Sequence, residues 1–291
     1  MLNKIKGGLF GVAIGDALGC TTEFMTPKEI QETFGTVDSI RGGGPFFFLK
    51  GEVTDDTDMT LCVAKGILES PEDPIEAIGH HFLTWKNSHP KDIGNTVATA
   101  LNQYKGNWEV ASRQTNILLG GKTAGNGSLM RTLPVALAYT NPFKIMMMSH
   151  KQSKMTHWDE KANEACILYN RIAHRLLLGE ELKKAIEEEV EGTIYRIAIL
   201  AEPNEVPNAY VVNTLRWVLY LLYTSTSFKE VLVRATNMGY DSDTTAAIAG
   251  GLAGIYYGFD GIPAEYVDDI LIKEEITEIA EKITQFRHTQ A

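Results

Sequence analysis

The chain has 291 residues, of which 44% are hydrophobic and 22% charged, and 37 acidic against 27 basic residues give a net charge of −10. This is the composition of a globular protein, and the chain is long enough to bury a sizeable core. A negative surface repels free nucleic acid and anionic membranes, so nucleic-acid binding is not expected, and a phosphate-bearing ligand needs compensation from cations or helix N-termini.

Neither disulfide bonds nor a membrane span are expected. Cys20, Cys62 and Cys166 are far apart and none has a partner at a metal-binding spacing, which is typical of reduced, buried thiols. The apolar run at residues 9–18 is interrupted by Asp16, and no uncharged apolar stretch reaches the roughly 18 residues that a span requires. We therefore expect a cytoplasmic protein.

Helical patterns dominate the chain. Residues 26–29 (Thr-Pro-Lys-Glu) and 227–230 (Ser-Phe-Lys-Glu) each match a capping box, in which a hydroxyl and a glutamate satisfy free N–H groups at a helix start. Alternating β patterns are scarce, and the whole pattern predicts an all-α fold in a single compact domain over residues 1–291. Further helices are predicted over residues 59–68, 73–85, 93–104, 128–140, 159–178, 180–191, 208–224 and 262–285.

Small residues recur at four-residue intervals in two segments. On a helix each set forms a stripe along one face, where a neighbouring backbone can approach closely. Because glycine costs about 1 kcal/mol relative to alanine inside a helix, two such stripes need a packing reason. We predict that both helices pack tightly in the centre of the fold, with each other as one candidate pairing. The stripes are Gly7, Gly11, Gly15 and Gly19, and Ala246, Gly250, Gly254 and Gly258.

Two acidic clusters adjoin helical segments: Asp55, Asp56 and Asp58 in one, Asp241 and Asp243 in the other. Capping of helix N-termini explains one or two acids at each start, and it stays open as the structural alternative. Several like charges close together favour a bound cation, and oxygen donors without histidine or cysteine select magnesium, manganese or calcium. The spacing excludes an EF-hand. Two clusters that converge across a helical core are typical of a two-metal catalytic site.

Residues 120–131 form a glycine-bearing segment that is a candidate phosphate-binding turn. It lacks the order of a P-loop and follows no strand. Asn126, Gly127 and Ser128 at a helix start would present free N–H groups, with Arg131 one turn further on, and such an arrangement can cradle a diphosphate. An ordinary turn followed by a helix cap explains the pattern equally well.

Four separated motifs occur in order along nearly the whole chain, and in that order they resemble those of the ADP-ribosylglycohydrolases. Shorter segments at residues 22–26, 42–44, 49–50, 90–96 and 156–157 resemble the subgroup of dinitrogenase reductase-activating glycohydrolases, which remove ADP-ribose from an arginine of the nitrogenase iron protein. The four motifs are Asp16 with Glu23, Thr54-Asp55-Asp56-Thr57, Gly125-Asn126-Gly127-Ser128 with Met130-Arg131, and Gly239 with Asp241-Ser242-Asp243-Thr244.

The resemblance implies an all-α orthogonal fold with two manganese or magnesium ions. Glu23 would lie beside the metals as ligand or acid/base, and Asp92 would hold the arginine guanidinium or transfer a proton. Ser242 is not an expected ligand. The implied metal ligands are Thr54, Asp55, Asp56, Asp241, Asp243 and Thr244.

The substrate contacts follow in part from the same resemblance. Asn126, Gly127 and Ser128 would contact phosphates or ribose, and His157 would flank the pocket. Tyr240, beside Asp241, is a candidate to stack on adenine, with ordinary packing as the alternative.

The predicted activity is hydrolysis of ADP-ribose from an arginine of a target protein, with the nitrogenase iron protein as the expected target. Regulation by a PII nitrogen-signalling protein, with recruitment to a membrane, is a further expectation from the family. Two alternatives remain: an ADP-ribose-binding regulator without catalysis, and a metal-dependent phosphohydrolase of nucleotide diphosphates. The presence of Glu23 with every expected acid argues against a non-catalytic relative.

Overall fold

Residues 1–290 are described in a computed structural model, and they form fifteen α-helices and two short 3-10 helices. Within this range extended backbone pairs only at two isolated bridges, Gly43 with Phe48 and Gly125 with Tyr210. The prediction of an all-α fold is confirmed. The helices are α1 (Leu2–Gly19), α2 (Pro27–Phe34), α3 (Asp55–Glu69), α4 (Ile75–Asn87), α5 (Asn95–Gln103), α6 (Trp108–Leu118), α7 (Pro134–Ala138), α8 (Pro142–Lys154), α9 (Glu160–Leu177), α10 (Leu182–Val190), α11 (Val211–Thr224), α12 (Phe228–Asn237), α13 (Ser242–Tyr257), α14 (Ala264–Asp269) and α15 (Lys273–His288).

Helices α1 and α13 form the centre of the fold. Both are apolar on all sides and buried over most of their length, as expected of a helix enclosed by others. A methyl group at Gly7 would overlap the carbonyl oxygen of Gly254, and one at Gly11 would overlap that of Gly250. The two stripes therefore pack on each other, as the four-residue spacing suggested.

The pairing of these two helices is antiparallel, because residues later in α1 meet residues earlier in α13. The end of α1 consequently meets the start of α13, where a methyl group at Gly19 would overlap the backbone of Asp243. Close packing of the central pair thus brings one predicted acidic cluster to the end of the helix that carries Asp16.

Two predicted helical segments differ from the structure. In place of a helix over residues 128–140, the chain makes successive turns, with the N–H groups of Leu129 and Met130 both donating to the Asn126 carbonyl, before the short helix α7. The segment 262–285 is split into α14 and α15, because the Leu271 N–H donates to the Gly51 carbonyl instead of continuing a helix.

The capping predictions are confirmed in one case and half correct in the other. Thr26 and Glu29 satisfy each other's backbone N–H groups, as a capping box requires. Ser227 accepts from the Glu230 N–H, but the Glu230 carboxylate accepts from Thr226 instead of Ser227.

The structure also tests the expectations for the cysteines and for membrane spans. Cys20, Cys62 and Cys166 are free and buried, as predicted. Among residues 1–290, no helix combines the length and apolar character needed to cross a bilayer.

Candidate active site

Four segments that lie far apart in sequence meet at one cavity of about 360 Å³. Glu23 comes from the turn after α1, Asp55 from the first turn of α3, Asp92 from the loop before α5, and Asp241 and Asp243 from the start of α13. Gly127, His157 and Thr244 also line it. Asp55 of the first predicted acidic cluster therefore meets Asp241 and Asp243 of the second, together with Glu23 and Asp92, whereas Asp58 accepts from Trp85 Nε1 and does not line the cavity.

Capping does not account for these acids. Thr54 caps α3 by accepting from the Asp56 N–H at 3.3 Å, whereas the Asp241 side chain makes no capping hydrogen bond at the start of α13. Asp55 accepts from the Gly94 N–H at 3.1 Å, across the cavity loop. Since a threonine already supplies the cap of α3, its aspartates serve other contacts.

The buried carboxylate of Asp16, on α1, hydrogen-bonds the start of α3. Its carboxylate accepts the backbone N–H groups of Thr54, at 3.0 Å, and Thr57, at 3.1 Å, and the Thr57 hydroxyl at 2.5 Å. Complete burial nevertheless raises the pKa of Asp16 to about 7, because removal from water disfavours the charged carboxylate. Asp16 therefore fixes the direction in which Asp55 and Asp56 point.

Thr54 and Asp56 lie behind the cavity surface and contact a residue that lines it. The Thr54 and Thr244 hydroxyls each donate to Oδ2 of Asp56 at 3.2 Å, while its Oδ1 has no partner among residues 1–290. Burial, reinforced by Asp16 and Asp55, raises the pKa of Asp56 well above its usual range. The Thr244 hydroxyl thereby joins the two acidic clusters.

Three carboxylates converge more closely than unshielded charges tolerate. One oxygen each of Glu23, Asp92 and Asp243 lies within 4.8 Å of the others. Within the described chain, Glu23 Oε2 and Asp243 Oδ1 are buried without a hydrogen-bond partner. Burial, and next the charge of Asp92, raises the pKa of Glu23 to about 9.

Buried oxygens of this kind fit divalent cations. A buried acceptor without a partner is costly, and neighbouring carboxylates repel one another, so bound cations would relieve both penalties. The donors are carboxylate and hydroxyl oxygens, which suit magnesium and manganese. The predicted ligands that converge here are Asp55, Asp56, Asp241, Asp243 and Thr244, with Thr54 beside Asp56.

The predicted phosphate-binding turn contributes only part of what was expected. Asn126 and Gly127 line the cavity, and the Asn126 amide donates to Asp241 Oδ2 at 2.6 Å and to the Thr214 hydroxyl at 3.0 Å. Ser128 is wholly buried and its Oγ lies 2.9 Å from Ser153 Oγ, so its side chain does not face the cavity.

The structure bears on two further expectations. Arg131 is completely buried behind the cavity wall, because turns replace the predicted helix, and its side chain cannot cradle a diphosphate. Tyr240 adopts a left-handed φ of 57°, and its backbone bonds the 22–25 turn through the Phe24 N–H and the Met25 carbonyl. Its half-buried side chain is not part of the cavity lining, and the stacking role stays a prediction. The Ser242 hydroxyl bonds the Gly19 carbonyl.

Comparison with known proteins identifies the family. A model of the ADP-ribosylglycohydrolase family matches residues 1–291. The chain is 34% identical over 275 residues to ADP-ribosyl-(dinitrogen reductase) glycohydrolase of Rhodospirillum rubrum, covering 94% of this chain and 92% of that protein. The chain belongs to the ADP-ribosylglycohydrolase family. Membership makes it a hydrolase of ADP-ribosylated substrates.

Two other relatives agree with this assignment. ADP-ribosylarginine hydrolase Tri1 of Serratia proteamaculans is 30% identical over 298 residues, covering 97% of this chain and 79% of that one. A solved structure described as an ADP-ribosylglycohydrolase-related protein complex aligns with a TM-score of 0.85 at 29% identity, covering 98% of each chain.

Sequence reasoning missed several residues of this ADP-ribosylglycohydrolase cavity. Phe24, Val97 and Met130 line it, and the Phe24 side chain is 67% exposed despite its apolar character. No periodic pattern marks Phe24, and its signal is its place in the 22–26 segment, directly after Glu23. The part played by Thr57 could have been found, because its hydroxyl belongs to the Thr54–Thr57 motif already singled out.

Proposed function

We propose that this ADP-ribosylglycohydrolase hydrolyses the N-glycosidic bond between ADP-ribose and an arginine side chain of a target protein, with two Mn²⁺ or Mg²⁺ ions in the acidic cavity. The observation that carries the proposal is the convergence of Glu23, Asp92 and Asp243, whose carboxylate oxygens lie within 4.8 Å of one another. The relatives named for dinitrogen reductase and for ADP-ribosylarginine support arginine as the modified residue.

The charge of the cavity explains why cations are required. ADP-ribose carries a diphosphate, yet the lining supplies five carboxylates, Glu23, Asp55, Asp92, Asp241 and Asp243, and neither lysine nor arginine. Bound divalent ions would supply positive charge that compensates the carboxylates and polarises ribose hydroxyl groups and water. The residues suited to hold them are Thr54, Asp55, Asp56, Asp241, Asp243 and Thr244.

The remaining acids suit the leaving group. Asp92 lines the cavity beside Glu23, and a carboxylate can accept two N–H groups of a guanidinium at once. Asp92 would thereby orient the modified arginine. Hydrolysis breaks the bond between ribose carbon and guanidine nitrogen, joins a water oxygen to that carbon, and transfers a proton from water to the nitrogen. Glu23, whose carboxylate lies within 4.8 Å of Asp92 and Asp243, is the group suited to relay that proton.

One assay separates this activity from its alternatives. The protein is incubated with Mn²⁺ and an ADP-ribosylated arginine protein, and the products are identified. Intact ADP-ribose with unmodified arginine is expected. Release of phosphate or a nucleoside monophosphate would instead indicate a phosphohydrolase, and binding without any product would indicate a non-catalytic regulator.

The variant Asp243→Ala tests the metal site itself. We expect loss of turnover and of Mn²⁺ binding with the fold retained, checked by product analysis, calorimetry and circular dichroism. Asp260→Ala is the matched control, because Asp260 is an exposed acid outside the cavity. Retained hydrolysis in Asp243→Ala would refute the metal mechanism.

Asp92→Ala should lose most of its rate while Mn²⁺ binding persists, and a normal rate would remove Asp92 from the site.

We further propose dinitrogenase reductase as the first target to assay, since a relative of 34% identity is named for it. Hydrolysis of small ADP-ribosylarginine substrates without activity on ADP-ribosylated dinitrogenase reductase would indicate another target protein. A PII partner, and membrane recruitment through it, stay predictions that pull-down with purified PII protein would test.

A further inference from the structure

Arg131 is a buried cation without an acidic partner. Its side chain is completely buried, and within residues 1–290 no carboxylate forms a salt bridge with it. Its guanidinium donates to Gln152 Oε1 at 3.2 Å, to the Gln152 carbonyl at 3.1 Å and to the Thr156 hydroxyl at 2.8 Å, and it lies 4.6 Å from the centre of the Phe82 ring. Burying a charge in this way is costly, so these hydrogen bonds and the aromatic contact have to offset the lost hydration of the guanidinium.

The contact with Arg131 decides how the Thr156 hydroxyl is used. Burial lowers the pKa of Arg131 to about 10, so it remains charged at neutral pH, and a guanidinium can only donate. Thr156 Oγ1 must therefore accept from Arg131. Thr156 Oγ1 has one other hydrogen-bond partner among residues 1–290, His157 Nδ1 at 2.8 Å, so donating to Nδ1 is the arrangement that leaves the buried hydroxyl hydrogen with an acceptor.

This arrangement selects one form of the His157 ring. If Nδ1 accepts from Thr156, the neutral imidazole carries its proton on Nε2. A charged ring would need Thr156 to accept twice, and it would lie buried near the charge of Arg131. Burial, and then that charge, lowers the pKa of His157 to about 3.

The other edge of the ring faces the cavity. A methyl group at Gly125 would lie 3.3 Å from His157 Nε2, and one at Gly127 would lie 3.3 Å from the adjacent ring carbon. Both glycines line the cavity together with His157. Among residues 1–290 the His157 ring hydrogen-bonds only the Thr156 hydroxyl, through Nδ1. Its Nε2 therefore has no hydrogen-bond partner in the described part of the chain.

We propose that Arg131 and Thr156 are positioning residues that fix His157 as the neutral Nε2–H tautomer, so that an otherwise acidic cavity offers one N–H donor to an oxygen of ADP-ribose. The identity of the ligand rests on the proposed function, whereas the tautomer does not. Thr156 and Arg131 act through His157 and touch no substrate.

The tautomer is measured by ¹⁵N NMR of the full-length protein labelled at histidine, at neutral pH and without ligand. The chain has seven histidines, and the His157 signals are identified by their loss in His157→Gln. We expect a protonated Nε2 and an unprotonated Nδ1. In Thr156→Val, which keeps the shape but lacks the hydroxyl, both tautomers should appear, whereas Thr156→Ser should keep the wild-type form.

Binding of ADP-ribose supplies the second measurement. Loss of the fixed donor should raise the Kd for ADP-ribose in Thr156→Val about tenfold, and Thr156→Ser should restore it. A protonated Nδ1 in the wild type, or a Thr156→Val variant with unchanged tautomer and unchanged Kd, would overturn the proposal. If the tautomers behave as expected but no variant binds ADP-ribose, the proposed function fails and the role of Thr156 in fixing His157 stands.

Arg131→Met tests the other positioning residue. Without the guanidinium no donor fixes the orientation of the Thr156 hydroxyl, so its hydrogen can turn away from His157 while its oxygen accepts from Nδ1–H, and a mixture of tautomers is expected in a protein that folds by circular dichroism. A single Nε2–H form in that variant would remove Arg131 from the proposal. Should the variant not fold, the Thr156 pair still decides whether His157 is fixed.

Discussion

Buried carboxyl groups without cations make the residues of the cavity sensitive to pH. Burial is the largest cause that raises the pKa of Asp55 to about 8, followed by the charge of Asp92. The pKa of Glu23 reaches about 9 for the same two reasons. In the unfolded chain these groups return to their usual values of 3.8 and 4.5, so the folded metal-free protein holds extra protons between these limits.

We predict that the metal-free protein loses stability as the pH rises from about 4 to about 9. The sign follows from linkage: in this window the folded state binds more protons than the unfolded state, so raising the pH favours unfolding. Below pH 4 both states are protonated and this contribution is constant. Thermal melting in EDTA across this range, compared between the wild type and Glu23→Gln, measures the effect.

The comparison isolates the cavity from other titrating groups. Glu23→Gln should flatten the fall in Tm, because the amide carries no charge at any of these pH values, and Asp260→Asn should leave the slope unchanged. Saturating Mn²⁺ should oppose the fall, since cations replace the protons. An equal slope in the wild type and in Glu23→Gln would contradict the raised pKa of Glu23.

At the residue level, the sequence indicates the acids of the cavity better than its neutral residues. Asp243 stands out because like charges in a cluster need an explanation, whereas Glu23 and Asp92 are indicated by the family resemblance, and all three line the cavity. Ser128 and Arg131 were placed at it by assuming a helix start, and the turns that replace that helix direct both side chains into the core. The direction of a side chain in a turn depends on dihedral angles that residue types alone do not specify.

The element that determines the position of the acids is the α1–α13 pair. Its backbones approach so closely that a Cβ atom at Gly11 has no room beside Gly250. Asp16 lies on α1 and Asp243 on α13, so the spacing of these two helices sets the spacing of the residues that depend on them. Packing at the centre and geometry at the cavity are therefore coupled.

We predict that Gly11→Ala destabilises the protein although alanine is the better helix former. Alanine gains about 1 kcal/mol of helix propensity, but an added methyl group in a packed core costs about 1–3 kcal/mol, and here it meets rigid backbone. Gly8→Ala, in the same helix, is the matched control, since the new methyl group would meet mainly the side chain of Ile255. Denaturant unfolding should show a larger loss for Gly11→Ala.

The same pair of variants links the packing to the metal site. Gly11→Ala should also weaken Mn²⁺ binding measured by calorimetry, because the helices move apart, while Gly8→Ala should bind nearly as the wild type does. Equal stability of the two alanine variants would contradict the close backbone contact inferred for Gly11.

Helices could be predicted where period and caps agree, as for residues 159–178, observed as α9 (Glu160–Leu177). The prediction for 128–140 was wrong because local turns replace the helix, and that for 262–285 because a distant backbone group intervenes. Gly51, far along the chain, accepts the Leu271 N–H that ends the predicted single helix. A bond of this kind is not encoded in local periodicity, so no pattern within the segment could have indicated the break.

For the whole molecule, the cavity acts as a junction between distant parts of the chain. Its acids come from the turn after α1, from α3, from the loop before α5 and from α13. In the metal-free protein these acids escape mutual repulsion at neutral pH by holding extra protons, and the close packing of α1 on α13 keeps their segments together. A cation shared by several segments would replace those protons and add attraction between the segments.

We therefore predict that Mn²⁺ stabilises the whole protein rather than one loop. A ligand at about one hundred times its Kd contributes about 2.7 kcal/mol, which in a chain of this size corresponds to a rise in Tm of roughly 5 °C. Hydrogen exchange should slow most, and together, in the first turns of α3 and α13, which share the cavity, and less in α10, which contributes no residue to it. Asp243→Ala should abolish both effects. Protection confined to a single segment, or an equal rise in Tm for Asp243→Ala, would show that the ions bind elsewhere, because only a site shared between α3 and α13 couples these two helices.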